Sequence, residues 1–134
     1  MSQGPLLDTH AIVCFLFDRT RLSAPARAEI QRSESAGDRF QVSTISIIEV
    51  RYLIEKGRLP ETAYEDLVLS FHDPLLNVDL LSVDLDVAVA VERIPRDIVP
   101  HLPDRIIAAT ALTFNLPLVT ADHRIRAAGI PTIW

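Results

Sequence analysis

Residues 5–17 read PLLDTHAIVCFLF, and this stretch decides the fold. Pro5 to Leu7 predicts a short buried strand that ends at Asp8. Thr9 to Phe17 predicts a helix, with Thr9 as its N-cap. A strand that passes directly into a helix is the repeating unit of α/β proteins.

The same alternation continues along the rest of the chain. Further strands are predicted at 40–43, 78–83, 117–120 and 131–134, and further helices at 24–35, 46–56, 60–71, 84–93, 104–114 and 122–128. Three prolines, Pro95, Pro100 and Pro103, predict a loop before the helix at 104. We therefore expect one α/β domain over residues 1–134, with three layers and a mostly parallel central sheet covered by helices on both faces.

Composition narrows the class of protein. A chain of 134 residues suits one domain, and 49% hydrophobic with 23% charged residues excludes intrinsic disorder. The single cysteine, Cys14, cannot form an internal disulfide, which favours a reducing compartment, with the cytoplasm as the default. No apolar stretch reaches the ~20 residues of a membrane span, and no targeting signal is visible. The net charge of −5 has the wrong sign for a protein that binds nucleic acid by bulk attraction.

Four acidic residues occupy the positions where α/β proteins bind ligands. Asp8 directly follows the first strand, and Asp122 lies just past the strand at 117–120. Asp104 begins a helix after the proline-rich loop, and Glu49 lies in the first turn of the helix at 46–56. Ligands of open parallel sheets bind beyond the carboxyl ends of the strands, where such residues collect.

Each acid also has a structural explanation. A carboxylate in the first turn of a helix complements the helix dipole, and Ser46 with Glu49 matches a capping box. If all four acids reach one crevice, however, their mutual repulsion requires a cation, and oxygen ligands suit Mg²⁺ or Mn²⁺. Such ions activate water and neutralise charge during phosphodiester hydrolysis. The sequence contains no serine-hydrolase elbow, Walker loop or dinucleotide-binding glycine motif that would indicate another chemistry.

Four segments resemble the acidic motifs of PIN-domain ribonucleases. They are LLDTH (6–10), STISIIEV (43–50), PDRIIAATA (103–111) and LVTAD (118–122). The size of the chain and its closing Thr132-Ile133-Trp134 narrow the resemblance to the VapC toxins of type II toxin-antitoxin systems. The resemblance covers essentially the whole chain.

The resemblance implies a set of site residues. Asp8, Glu49, Asp104 and Asp122 match the family's catalytic and metal-binding quartet, with Asp8 and Asp104 as direct ligands and the other two completing the shell or holding water. Thr9 and Thr120 match hydroxyl residues that flank those acids, and we expect both to help position substrate. Arg105 follows a quartet acid, where it either clamps phosphate or pairs with another acid of the quartet.

The resemblance also implies an activity and partners. It implies cleavage of RNA that depends on Mg²⁺ or Mn²⁺, a homodimer, and a cognate antitoxin that wraps the toxin and obstructs its site. One position departs from the family pattern, because His101 stands where many relatives carry an additional acid. This departure affects only an auxiliary acid, and we expect His101 to face solvent.

Two alternatives stay open at this point. A PIN-like domain can bind RNA or protein without cutting, although all four acids are present here. A haloacid-dehalogenase-like phosphatase would also place Asp8 after its first strand, but it would need a second Asp where His10 stands. His10 and His123 each follow an acid without a partner that spacing identifies, and Phe15, Phe17 and Trp134 are expected to be core or dimer contacts.

Overall fold

The computed structural model describes residues 3–134, and the predicted domain boundary at residue 1 lies outside that range. Within it, five strands form one sheet: β1 (Gln3–Leu7), β2 (Arg39–Ser43), β3 (Val78–Leu81), β4 (Leu118–Val119) and β5 (Thr132–Ile133). The strand order is β3-β2-β1-β4-β5, and every neighbouring pair is parallel. The predicted parallel sheet is confirmed.

Seven α-helices connect and cover these strands over the same range. They are α1 (Thr9–Phe17), α2 (Ala24–Ala36), α3 (Thr44–Glu55), α4 (Glu61–Ser70), α5 (Leu85–Ala90), α6 (Leu102–Phe114) and α7 (His123–Ala127). Short 3₁₀ turns follow α1 at 19–21 and α5 at 91–93. None of the helices in this part of the chain is long and apolar enough to cross a bilayer.

The sheet separates two apolar clusters because successive strand residues point to opposite faces. Leu7 and Val119 pack into a cluster with residues of α1, α2 and α4, whereas Leu6 and Leu118 pack into one with residues of α5, α6 and α7. All four of these strand side chains have no exposed surface. The molecule therefore has the three α/β/α layers that the sequence predicts.

Two predicted N-caps are wrong, and α6 begins at Leu102 rather than at Asp104. Ser43, not Ser46, is the N-cap of α3 and accepts from the backbone N–H of Ile45 at 3.2 Å. The capping box of Ser46 and Glu49 is therefore wrong, and Glu49 lies beyond the first turn. Asp8 rather than Thr9 caps α1, because its carboxylate accepts from the backbone N–H of Ala11 at 2.7 Å.

The strand order creates a switch point at the middle of the sheet. From β1 the chain builds outward through β2 to β3, and it then returns to the other side of β1 to form β4 and β5. Helices on opposite faces diverge where the order reverses, which leaves a crevice beyond the carboxyl ends of β1 and β4. Asp8 follows β1 and Asp122 follows β4, so the topology brings these two acids to the crevice.

Candidate active site

A cavity of about 960 Å³ opens at this switch point, and all four predicted acids line it. Asp8 comes from the end of β1, Glu49 from α3, Asp104 from the first turn of α6 and Asp122 from the N-cap of α7. Four carboxylates that are up to 114 residues apart in sequence therefore share one space. The structure brings together the acids that the sequence singled out.

The carboxyl group of Asp8 has the most perturbed environment of the four. Burial raises its pKa from 3.8 to about 6, and the charges of Asp104 and Asp122 add to the rise. Hydrogen bonds from Thr120 and from the backbone N–H of Ala11 oppose it. Placing a second negative charge nearby makes ionisation harder, so this group is held at a site that favours a compensating cation.

The pKa values of the other three acids shift in different directions, according to the charges and donors beside each one. Burial raises the pKa of Glu49, with contributions from the charges of Asp104 and Asp8. Burial and the charge of Asp122 raise the pKa of Asp104, partly offset by His101 and Arg124. Burial acts in the same direction on Asp122, but its hydrogen bonds and ion pair with Arg124 bring its pKa below the usual range.

Thr9 fixes the orientation of Glu49. Its Oγ1 lies 2.6 Å from Glu49 Oε1 and 2.9 Å from Ser46 Oγ. Because a hydroxyl carries one proton, Thr9 donates to the carboxylate and accepts from Ser46. Ser46 is fully buried and Thr9 nearly so, and the chain from Ser46 through Thr9 to Glu49 therefore links α1 to α3 at the edge of the cavity.

Thr120 has a similar supporting position behind the acids. It is buried, its hydroxyl accepts from the backbone N–H of Asp122 at 3.0 Å, and it lies close enough to Asp8 to lower the pKa of that carboxyl. It is not among the residues that line the cavity. Thr9 lines the cavity and Thr120 does not, and the expectation that the two residues position substrate stays a prediction.

Arg105 has neither of the two roles expected for it, which were to clamp phosphate or to pair with an acid of the quartet. Its guanidinium donates to the backbone carbonyls of Ile94 at 2.8 and 3.0 Å and of Val91 at 3.0 Å, and it does not line the cavity. Consecutive residues of a helix point about 100° apart, so Arg105 turns away from the space that Asp104 faces. It holds the turn after α5 against α6, and it neither reaches the cavity nor pairs with an acid of the quartet.

Five basic residues outside the predicted site also line the cavity, of which the sequence had drawn attention only to the two histidines. They are His10, Arg21, Arg58, His123 and Arg124. Local sequence could have predicted Arg124, because it lies two residues after Asp122, the acid that caps α7. Arg21 and Arg58 are brought to the cavity by helix packing, which local sequence does not show. His101 is exposed and close enough to Asp104 to lower its pKa, although it does not line the cavity.

The donor set fits a hard divalent cation. Within residues 3–134, no three His, Cys, Asp or Glu side chains are placed close enough together to hold one metal ion. A site with fewer protein ligands is still possible, because Mg²⁺ needs only one or two carboxylates and keeps several waters of its own. Three of the four carboxyl pKa values are raised, and the shared cause beside burial is repulsion from the other acids.

The chain is similar to a known domain family and to a named ribonuclease. The model of the PIN domain family matches residues 6–131. The chain is 31% identical over 133 residues to Ribonuclease VapC22 of Mycobacterium tuberculosis, a match that covers 96% of this chain and 97% of that protein.

Solved structures give the same fold. VapBC2 of Rickettsia felis, bound to a DNA fragment from its promoter, matches with a TM-score of 0.69 at 14% identity and 95% coverage of both chains. A toxin-antitoxin complex from Klebsiella pneumoniae matches with a TM-score of 0.66 at 23% identity, covering 98% of this chain and 97% of the other.

Proposed function

This chain belongs to the PIN domain family, and from that premise we propose that it is a metal-dependent endoribonuclease, the toxin of a VapBC-type toxin-antitoxin pair. The observation that carries the proposal is the convergence of Asp8, Glu49, Asp104 and Asp122 on one cavity. The similarity to a protein named as a ribonuclease supports RNA as the substrate.

We propose Asp8 and Asp104 as the direct ligands of Mg²⁺ or Mn²⁺, with Glu49 and Asp122 completing the shell or holding water. When bound, such an ion supplies positive charge against the phosphate oxygens and acidifies water for attack on phosphorus. The two proposed ligands come from different elements, since Asp8 follows β1 and Asp104 lies in the first turn of α6, the helix that leads into β4. Their raised pKa values mean that the folded protein holds charge there at a cost that a cation offsets.

The residues around the acids keep them in place. Thr9 holds Glu49 in one orientation through the 2.6 Å hydrogen bond, and Thr120 restrains Asp8 and the backbone of Asp122. Arg124 pairs with Asp122 at 3.1 Å and keeps that carboxylate ionised. Fixed carboxylates need no reorganisation when the phosphodiester arrives, which lowers the barrier to reaction.

The proposed partners are a cognate antitoxin, which the toxin-antitoxin complexes among the similar structures support, and a second copy of the chain. Exposed apolar side chains on α3 and α5 supply a surface for a homodimer, including Ile48 at 58% and Leu85 at 75% exposure. The starts of these helices are close, because the backbone N–H of Val83 donates to Thr44 Oγ1 at 3.2 Å. We place the protein in the cytoplasm, where its RNA substrate occurs and where the free Cys14 thiol stays reduced.

Cleavage of RNA by the purified, antitoxin-free chain tests the proposal. We expect fragments from a mixed RNA pool in Mn²⁺ or Mg²⁺, none in EDTA, and a loss of at least about 100-fold in Asp104→Asn, more than supporting residues of a metal site typically give. Circular dichroism checks that the variant is folded. A folded parent that binds RNA but never cleaves it would instead be a binding module.

A further inference from the structure

Two arginines line the cavity without an internal partner. Arg21 and Arg58 are both exposed, and no ion pair or side-chain hydrogen bond involves either within residues 3–134. Arg124, the third arginine of the cavity, is paired with Asp122, and Arg51 is paired with Glu61. Two guanidinium groups on a cavity wall therefore keep all of their donors for a ligand.

The cavity runs as a groove along one face of α1 and one face of α3. On α1 it is lined by Thr9 and Val13, and on α3 by Glu49 and Leu53. Residues four apart lie on the same side of a helix, so each pair marks the direction of the groove. Arg21 follows α1 and Arg58 follows α3, which places both beyond the C-terminal ends of these two helices.

This arrangement separates the two arginines from the carboxylates. Helix α1 has nine residues and is therefore roughly 13 Å long. A polyanion that reached the acids and continued along the groove would meet apolar side chains first and these two cations next.

We propose that Arg21 and Arg58 bind backbone phosphates of the RNA strand beside the one that is cleaved, with the apolar wall of Val13, Leu53 and Leu59 receiving the adjoining nucleoside. The proposal rests on the proposed ribonuclease function. A guanidinium group presents a planar fork of donors that matches a phosphate, and an aliphatic wall contacts the face of a base through dispersion forces that do not depend on its hydrogen-bonding edge. The groove thus holds a single strand in register while the carboxylates act on one phosphodiester.

Salt dependence of RNA binding tests this assignment. The protein is the full chain carrying Asp104→Asn, so that the strand stays intact, and the probe is a fluorescently labelled single-stranded RNA followed by anisotropy. Each phosphate contact to a single strand contributes about 0.7 to the slope of log Kd against log salt concentration. Arg21→Ala and Arg58→Ala are each expected to lower that slope by about 0.7 and to weaken binding about fivefold at 0.1 M salt, and the double variant about 25-fold.

Arg27→Ala and Arg96→Ala are the matched controls, because both residues are exposed, unpaired within the described range and outside the cavity. We expect Kd within twofold of the background for both. The inference would be overturned if the Arg21 and Arg58 variants gave the same salt slopes as the controls. It would also be overturned if the Asp104→Asn protein, from which all these variants are made, did not bind the RNA. If the Arg21 and Arg58 variants bind a poly-glutamate peptide more weakly while their RNA salt slopes are unchanged, the two arginines bind an acidic protein segment and the inference is wrong. A parent chain that fails to cleave RNA would count against the proposed function, whereas these slopes are measured without cleavage.

Discussion

Replacing Asp8 by Asn is expected to stabilise the metal-free protein at neutral pH. The folded protein raises the pKa of Asp8 from 3.8 to about 6, mainly through burial. A difference of about two pKa units corresponds to about 3 kcal/mol, at about 1.4 kcal/mol per unit. The Asn carbonyl can still accept from the backbone N–H of Ala11, which lies 2.7 Å from the present carboxylate, so the N-cap of α1 is kept.

The sign of the effect follows from which state holds the proton. Below pH 3.8 Asp8 is protonated in both the folded and the unfolded chain, and its ionisation costs nothing. Between pH 3.8 and about 6 the unfolded chain loses this proton first, so the free energy of unfolding falls as pH rises. Above about pH 6 the full cost is present, and the Asn variant avoids it.

Urea unfolding in EDTA, at fixed protein concentration, measures this difference. We expect Asp8→Asn to match the parent near pH 4 and to exceed it by up to about 3 kcal/mol at pH 7.5. Asp97→Asn, which removes an exposed carboxylate outside the cavity, is the control and is expected to show no such pH dependence. A variant that is less stable than the parent at pH 7.5, or a difference that does not change with pH, would refute the reasoning.

Three further perturbations separate the roles of the site residues. Thr9→Val removes the hydroxyl that orients Glu49 and should lower RNA cleavage about 10- to 100-fold, with Thr9→Ser retaining most of the activity; equal activity of Val and Ser variants in a fragment assay would argue against this role. Arg105→Leu should lower the free energy of unfolding by about 2–3 kcal/mol in a urea titration, because two backbone carbonyls lose a charged donor; unchanged stability would contradict the structural role. Mn²⁺ at a hundredfold excess over its Kd should raise the melting temperature by about 5–10 °C in a thermal scan. An unchanged melting temperature would mean that the carboxylates do not bind a cation together.

The fold follows from the sequence because its signals are local and repeated. Short apolar strands alternate with helices, and proline, glycine and Asn115 mark their ends; Asn115 adopts the left-handed backbone expected of a helix stop, with φ of 52°. Asp8 and Asp122 were also predictable from topology, because the carboxyl ends of parallel strands share one edge of the sheet, whereas Glu49 and Asp104 come from helices. Three arginines line the same cavity as the four acids, so most of the net charge of −5 lies outside this site and does not oppose the binding of nucleic acid there.

The remaining features depend on how helices pack, which local sequence does not encode. Ser46 and Glu49 match a capping box in spacing, but the partner of both is Thr9, which comes from another helix. Arg105 adjoins Asp104 in sequence and turns to the opposite side. Arg21 and Arg58 are 37 residues apart and line the same cavity only because α1 and α3 flank one groove.

Titration calorimetry of Mn²⁺ into the purified chain tests the central claim, that the acid-lined cavity binds a divalent cation through Asp8 and Asp104. We expect saturable binding to the parent at pH 7.5, and binding weakened at least about tenfold in both Asp8→Asn and Asp104→Asn. Asp97→Asn should bind like the parent. A folded parent that takes up no Mn²⁺ at millimolar concentration, or ligand variants that bind it as well as the parent does, would contradict the account.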